Sequence, residues 1–316
     1  MAQPTLTLSS ALQDLSTSRV RGHRDSNEIV RKGLFVLEQK NGLKALGGDI
    51  WDFLEQLTIA ALDIGQVELA DDCITRLDVQ FPKSPRVDVL RGMRIEAKDL
   101  GLALEYYEHI LENEESNVVR RRVSFAPVSY SKKTKRTGQE IWKRLIAVLR
   151  QQNKIEKCIS ELVTFLDTFY SDLEGWLELA DLYASLGLYT RSLQALSHAL
   201  LLAPQNPFHT LRFAETAYTS NDVPLALRYY LRTIELIDPE DDGKEIGRRA
   251  WFGVKLCARH LSRTPNLPSE SNTPPVQGKN LSALELLATE RLSTAYSSAK
   301  QDAKIPGRRE VLKWLE

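Results

Sequence analysis

Two tryptophans constrain the fold more than anything else in the chain. Trp142 and Trp176 stand 34 residues apart, and bulky residues recurring at that interval mark a unit folded more than once. From Trp176 the sequence reads Trp176-x2-Leu179-Ala180-x2-Tyr183, then Ser192-x3-Leu196, Ala199 and Pro204. The pattern predicts two antiparallel helices that approach closely. Ala180 and Ser192 keep side-chain volume low at the crossing, and Trp176, Leu179, Tyr183 and Leu196 fill the space around it. Pro204 has no amide proton and stops the second helix. Ser171-x-x-Glu174 reads as a capping box ahead of Trp176. If Trp176 is buried as this expects, its truncation to alanine costs about 3–5 kcal/mol.

The neighbours keep the register. One period back stand Trp142, Leu145, Ile146, Leu149, Cys158, Leu162 and Phe165. One period forward stand Phe213, Ala214, Ala226, Tyr230 and Thr233, with Pro239 one residue late, and Asn206-Pro207 supplies an N-cap and a first-turn proline. Upstream, Leu57, Ala61, Ala70, Ile74, Leu77 and Pro82 fit the same template, and Ser84-Pro85 opens a further unit with Gly92, Ala103, Tyr107 and Ile110. Small residues at small positions, large ones at large positions and a closing proline resemble the tetratricopeptide (TPR) repeat. The predicted fold is therefore all-α: a right-handed TPR α-solenoid of about five repeats with N- and C-terminal capping helices.

The flanks divide the rest. Residues 1–25 read as a flexible N-terminus and 26–242 as the solenoid, with Ile29, Val30, Leu34 and Leu37 marking its capping helix. Residues 243–316 read as C-terminal helices around a Pro- and Ser-rich loop at 263–280. Leu281, Leu284, Leu287 and Leu292 give a late helix an apolar stripe that needs a partner surface, and Leu284 and Leu287 are candidate partner contacts. Residues 120–138 interrupt the period with seven cations and no acid. This stretch reads as an exposed, solvated insertion between repeats, with anionic lipid or RNA as sharper alternatives. Arg121-Arg122-Val123-Ser124 resembles a basophilic kinase site, which makes Ser124 a candidate for phosphorylation.

Composition excludes more than it proposes. Lys plus Arg and Asp plus Glu are both 42, which leaves no surplus of cations for a dedicated nucleic-acid binder. Cys73, Cys158 and Cys257 are too dispersed for a metal knuckle or a disulfide framework. The first fifteen residues carry no Lys or Arg and do not read as a signal peptide. No apolar run approaches the roughly 18 residues that span a bilayer. No phosphate loop, nucleophile elbow or zinc-ligand spacing of the five histidines occurs, so the expectation is a protein without catalysis, metal or cofactor.

A solenoid works through the surface lined by the first helix of each repeat. Lys143, Arg144 and Arg150 are the candidate contacts from one repeat, Leu177 and Asp181 from the next. Leu177 and Asp181 occupy positions where the carboxylate clamp of co-chaperone TPR domains has Lys and Asn.

Gly48-Asp49-Ile50-Trp51, Ala60-Ala61-Leu62-Asp63-x-Gly65, Gln80-Phe81-Pro82-x-Ser84-x-Arg86-Val87, Gly92-Met93-Arg94-x-Glu96-Ala97 and Glu174-x-Trp176-x-Glu178-Leu179-Ala180-x-Leu182-Tyr183 together resemble the family of subunit 2 of the endoplasmic reticulum membrane protein complex. The resemblance runs from about Asn27 to Leu261. It implies a peripheral protein on the cytoplasmic face of that membrane. Such a protein bridges cytosolic parts of the membrane subunits, holds another soluble subunit and supports insertion of transmembrane segments and tail anchors. The basic insertion is longer than the family's usual link. The competing reading is a TPR co-chaperone or peptide-binding adaptor outside any such complex.

Overall fold

The computed structural model describes residues 7–22, 24–82, 84–113, 132–237, 245–264, 269, 271, 273–274, 278–297 and 308–315. Among them every regular element is helical. The chain forms two compact units, Met1–Thr168 and Phe169–Glu316.

The first unit contains α1 (Leu8–Arg21), α2 (Ser26–Glu38), the single turn α3 (Gly42–Ala45), and the pairs α4 (Ile50–Asp63)/α5 (Val67–Gln80), α6 (Pro85–Glu96)/α7 (Leu100–Asn113) and α8 (Lys132–Gln151)/α9 (Ile155–Thr168). Phe53, Leu54, Leu57, Ala61, Ala70 and Leu77 form the centre of its core with Val30 and Val36 of α2. The second unit contains the pairs α10 (Leu173–Ser185)/α11 (Tyr189–Leu202) and α12 (Pro207–Thr219)/α13 (Val223–Leu236), then α14 (Glu245–Arg263), α15 (Gly278–Ser297) and α16 (Arg308–Leu315). Its core joins Leu211, Ala214, Ala226 and Tyr230 to Val254, Cys257 and Leu261 of α14 and to Leu281 and Leu292 of α15.

One turn recurs between paired helices. Gly65, Asn153, Gly187 and Asn221 all have positive φ, at 79°, 57°, 73° and 68°, and the last three are spaced at the 34-residue period. Each is followed by a residue whose N–H reaches back five positions. Gln66 bonds Ala61 O at 2.8 Å, Lys154 bonds Leu149 O at 3.0 Å, Leu188 bonds Tyr183 O at 2.9 Å and Asp222 bonds Ala217 O at 3.0 Å. This is the Schellman closure, which satisfies carbonyls orphaned at a helix end and needs a residue tolerant of left-handed backbone. Glycine and asparagine are the residues that tolerate it.

The small positions carry the crossings. Ala70, Ala180, Ala214 and Ala226 are buried, and Ser192 Oγ donates to Ala180 O at 2.8 Å, so its hydroxyl is satisfied inside the pair. A Cβ built on Gly92 would stand 2.2 Å from Tyr107 Cε1, and one on Gly253 would stand 2.3 Å from Tyr230 Cε1. Only a residue without a side chain fits against either tyrosine ring.

Several sequence expectations change. Leu8–Arg21 form a helix with Ala11 and Leu15 buried, where a flexible N-terminus was expected. The sequence of α1 is rich in Ser and Thr and weakly patterned, so its helicity comes from packing on α2. The cap of α10 is Asp172, whose carboxylate accepts from Gly175 N at 2.8 Å, and the Ser171-x-x-Glu174 box does not form. Backbone from Lys132 onward belongs to α8, which takes the end of the expected basic loop into a helix. Residues 114–131, Ser124 among them, and Pro239 lie outside the described residues.

The apolar stripe of α15 also differs from expectation. Leu281 and Leu292 are buried against α14, and Leu284 packs beside them. That stripe has its partner within the chain, so the helix contributes to the fold as well as to any surface.

Candidate interaction surface

The first helices of successive pairs are tied by arginines that reach back to an acid one pair earlier. In the first unit Arg86 of α6 pairs with Glu55 of α4 and lies 3.7 Å from Asp52, and Arg144 of α8 lies 3.7 Å from Glu96 of α6. Within the second unit Arg212 of α12 pairs with Asp181 of α10, and Arg249 of α14 meets Glu215 of α12 at 2.8 Å. Asp181 and Glu215 are themselves one period apart. The first helices therefore carry both signs of charge where they face one another within each unit. A solvent-exposed pair of this kind adds little stability, about 0–1 kcal/mol.

Carboxylates elsewhere respond to their partners. The bidentate hydrogen bonds of Arg94, at 2.6 and 2.7 Å, hold the Asp71 carboxyl below its ordinary value. Hydrogen bonding by Arg24 does the same for Asp63, against a smaller opposing effect of burial, and Ser26 adds a further bond. Glu55 goes the other way: burial raises its carboxyl even though Arg86 opposes the shift.

Of the residues expected to meet a partner, Lys143, Arg144 and Arg150 belong to the first unit and Leu177 and Asp181 to the second. Lys143 and Arg144 are half-buried and Arg150 is exposed. Leu177 is half-buried, and Asp181 is committed to Arg212. Leu287 is 38% exposed and its neighbour Leu286 is 73% exposed, so the outward face of α15 is carried by these two, with Leu284 turned to the core.

The repeat-defining residues divide similarly. Trp142, Leu145, Leu179, Leu196 and Tyr230 are buried, whereas Tyr183 is half-buried. Pro82 and Pro204 are exposed in the turns that follow α5 and α11. Trp142 meets Phe165 edge-on at 5.7 Å. Trp176 is only half-buried. It stacks on His198 with centroids 4.2 Å apart and donates its indole N–H to Tyr170 O at 2.9 Å, so the energy expected for a fully buried tryptophan does not apply to it.

Sequence reasoning missed a cavity of about 240 Å³ in the first unit, lined by Gly48, Trp51, Asp52, Glu55, Leu77, Phe81, Arg86 and Val87 among others. Trp51 and Phe81 form its aromatic corner, edge to face at 5.3 Å. The signal was present: most of these residues lie in the motifs that carry the family resemblance. In the second unit Trp314 of α16 lies over α14, its ring 4.8 Å from Lys255 Nζ, 4.7 Å from Arg259 Cζ and 4.8 Å from the Phe252 ring. The short closing segment, left open by the sequence, is thus held by cation–π contacts.

Among the described residues no group of three His, Cys, Asp or Glu is placed to hold a metal ion. The three cysteines are buried; burial pushes the Cys73 thiol up to about 11 and Cys257 higher still. Both are thiols and not thiolates at neutral pH. No helix among the described residues is long and apolar enough to cross a membrane.

Comparison with known proteins places this architecture. A solved structure of the C-terminal part of a TPR repeat-containing protein from Cytophaga hutchinsonii superposes with a TM-score of 0.54 over 95% of this chain and 99% of that one, at 11% identity. This likeness shows the fold alone. The family model described as the EMC2 TPR-like repeat domain matches residues 128–235. ER membrane protein complex subunit 2-A of Xenopus laevis is 30% identical over 255 residues, 79% of this chain and 76% of that protein. The TPR repeat protein oca3 of Schizosaccharomyces pombe is 32% identical over 222 residues, 67% of this chain and 68% of that protein. With a TPR fold on one side and these relatives on the other, the chain belongs to the family of ER membrane protein complex subunit 2.

Proposed function

We propose that this chain is a non-catalytic scaffold subunit of an ER membrane protein complex. It sits peripherally on the cytoplasmic face of the membrane, bridges cytosolic parts of the membrane subunits, holds a soluble subunit and so supports insertion of transmembrane segments and tail-anchored proteins. The observation that carries this reading is the 30% identity to a protein named as a subunit of that complex, extending over 79% of the chain. The surface described above is consistent with it. Alternating charge along the first helices suits extended protein partners, and Leu177 and Asp181 stand in place of the Lys and Asn with which a co-chaperone grips a C-terminal carboxylate. Lys143, Arg144, Arg150 and Leu287 are the contacts we assign to partners.

The test is affinity purification of the tagged chain from detergent-solubilised membranes, followed by mass spectrometry. The expected result is a stable set of multi-pass endoplasmic reticulum proteins recovered in fixed ratio. Recovery of soluble chaperones alone would overturn the proposal and leave an adaptor.

A further inference from the structure

The cavity of the first unit, about 240 Å³, joins two kinds of lining. It lies where the start of α4, the end of α5 and the start of α6 meet. Trp51 and Phe81 stand at 83° to each other with centroids 5.3 Å apart, so their rings form a right-angled wall. Leu77 and Val87, both buried, complete the apolar side, and Phe81 is 39% exposed, which leaves part of that wall to solvent. The polar side consists of two carboxylates, Asp52 and Glu55, and the guanidinium of Arg86. Arg86 pairs with Glu55 and lies 3.7 Å from Asp52, so one positive charge is shared between two acids. The Glu55 carboxyl is still raised, by burial above all; Arg86 opposes the rise, and Asp52 and Glu140 add to it. The three side chains together leave one negative charge over.

We infer that this cavity receives an arginine side chain of a protein partner, with its stem along the aromatic wall and its guanidinium against Asp52 and Glu55. The volume falls below the roughly 300–1,000 Å³ of sites that enclose a drug-sized molecule, and it suits a single side chain. A cation over an aromatic face is drawn to the ring quadrupole, and the uncompensated carboxylate supplies a second attraction of the same sign. Arginine fits better than lysine. Its planar guanidinium stacks on a ring and meets carboxylates through a fork of donors, whereas the ammonium is compact and more strongly hydrated. An anion fits worse than either, because it would meet both carboxylates while Arg86 is already engaged. The helix starts do not invite one: Asp52 occupies the first turn of α4, and Pro85 offers no N–H at the start of α6. That the occupant is a protein rests on the scaffold function proposed above; that it is a guanidinium is read from the cavity. This contact is separate from Lys143, Arg144, Arg150 and Leu287.

The probe is a blocked pentapeptide, one arginine flanked by alanines, titrated into the full chain. The Trp51 indole N–H resonance, identified by its absence in Trp51→Phe, reports occupancy. The arginine peptide is expected to shift that resonance saturably. The same peptide with citrulline, the neutral isostere, is expected to bind roughly tenfold more weakly, the loss of a hydrogen bond to a charged group. Two variants test the sign of the charge. Asp52→Asn is expected to weaken the arginine peptide about threefold and Arg86→Gln to strengthen it about threefold, each the worth of one exposed ion pair. Stronger binding in Arg86→Gln cannot come from unfolding. No shift, equal binding of the citrulline or a lysine peptide, or weaker binding in Arg86→Gln would overturn the assignment. Peptide and chain meet alone in this titration. A failure here therefore leaves the recovery of membrane subunits by the tagged chain as it was, and the two readings fall separately.

Discussion

The Tyr107 ring occupies the volume that Gly92 leaves empty, and Tyr107 Oη donates to Glu96 Oε1 at 2.5 Å on the same side of the α6–α7 pair. Burial, with that bond second, pushes the tyrosine hydroxyl well above its ordinary range, so it remains a donor at any working pH. Gly92→Ala forces the ring or the backbone to move and is expected to cost about 1–3 kcal/mol. Chemical denaturation of the full chain checks it. Tyr107→Phe keeps the packing and loses only the hydroxyl, so a loss as large as that of Gly92→Ala would argue against steric crowding as the cause.

The recurring left-handed turn gives a position-specific prediction. Gly187→Ala places a Cβ where φ is 73°, at an expected cost of about 1–2 kcal/mol. The same substitution at Gly278, which begins α15 with open space around it, is expected to change the denaturation midpoint little. Equal losses at the two sites would mean that backbone conformation is not what selects glycine at 187.

The two frame-setting tryptophans are not energetic equals. Trp142→Ala empties a buried site and is expected to lose about 3–5 kcal/mol. Trp176→Ala gives up a half-buried stack on His198, so its loss is expected to be smaller by at least 1 kcal/mol, roughly the worth of the packing that solvent already replaces. Thermal unfolding of both variants distinguishes them, and a reversal of their order would contradict the burial described here.

Acid is expected to weaken the first unit. Arg94 and Arg24 depress the carboxyls of Asp71 and Asp63 below the ordinary 3.8. A depressed folded pKa gives stability that is fully present above the unfolded value and lost as pH falls through the folded one. Unfolding midpoints are therefore expected to hold from pH 7 to about pH 5 and to fall below 3.8 as these groups take up protons. Arg94→Gln is expected to flatten part of that fall. An unchanged acid limb in that variant would show that the pair carries no net stability.

How much of this was legible follows from where the information sits. The repeat was readable because the residues that space two helices are unusual in volume: a tryptophan, an alanine or a glycine leaves a mark that survives without context. Gly253 was missed although it faces Tyr230 as Gly92 faces Tyr107, because the break before α14 displaces it from the 34-residue frame. The arginine ladder was illegible for a different reason. Arg86, Arg212 and Arg249 look like solvated cations until neighbouring first helices are set side by side. The Asp222 carboxylate accepts from Ser269 Oγ at 2.7 Å and from Ser271 N at 3.2 Å. Those bonds were illegible too, since a Ser- and Thr-rich segment reads only as a loop and carries no sign of the buried acid that holds it.

The same bonds also set an order of events during synthesis. Paired helices close through residues a turn apart, so each pair can settle as soon as it leaves the ribosome. The bonds from Ser269 and Ser271 to Asp222 instead span 47 and 49 residues. Asp222 is therefore translated and folded into its cap well before the chain that covers it exists. In that interval its carboxylate faces water, and a segment translated later completes a surface that the earlier repeats cannot finish alone.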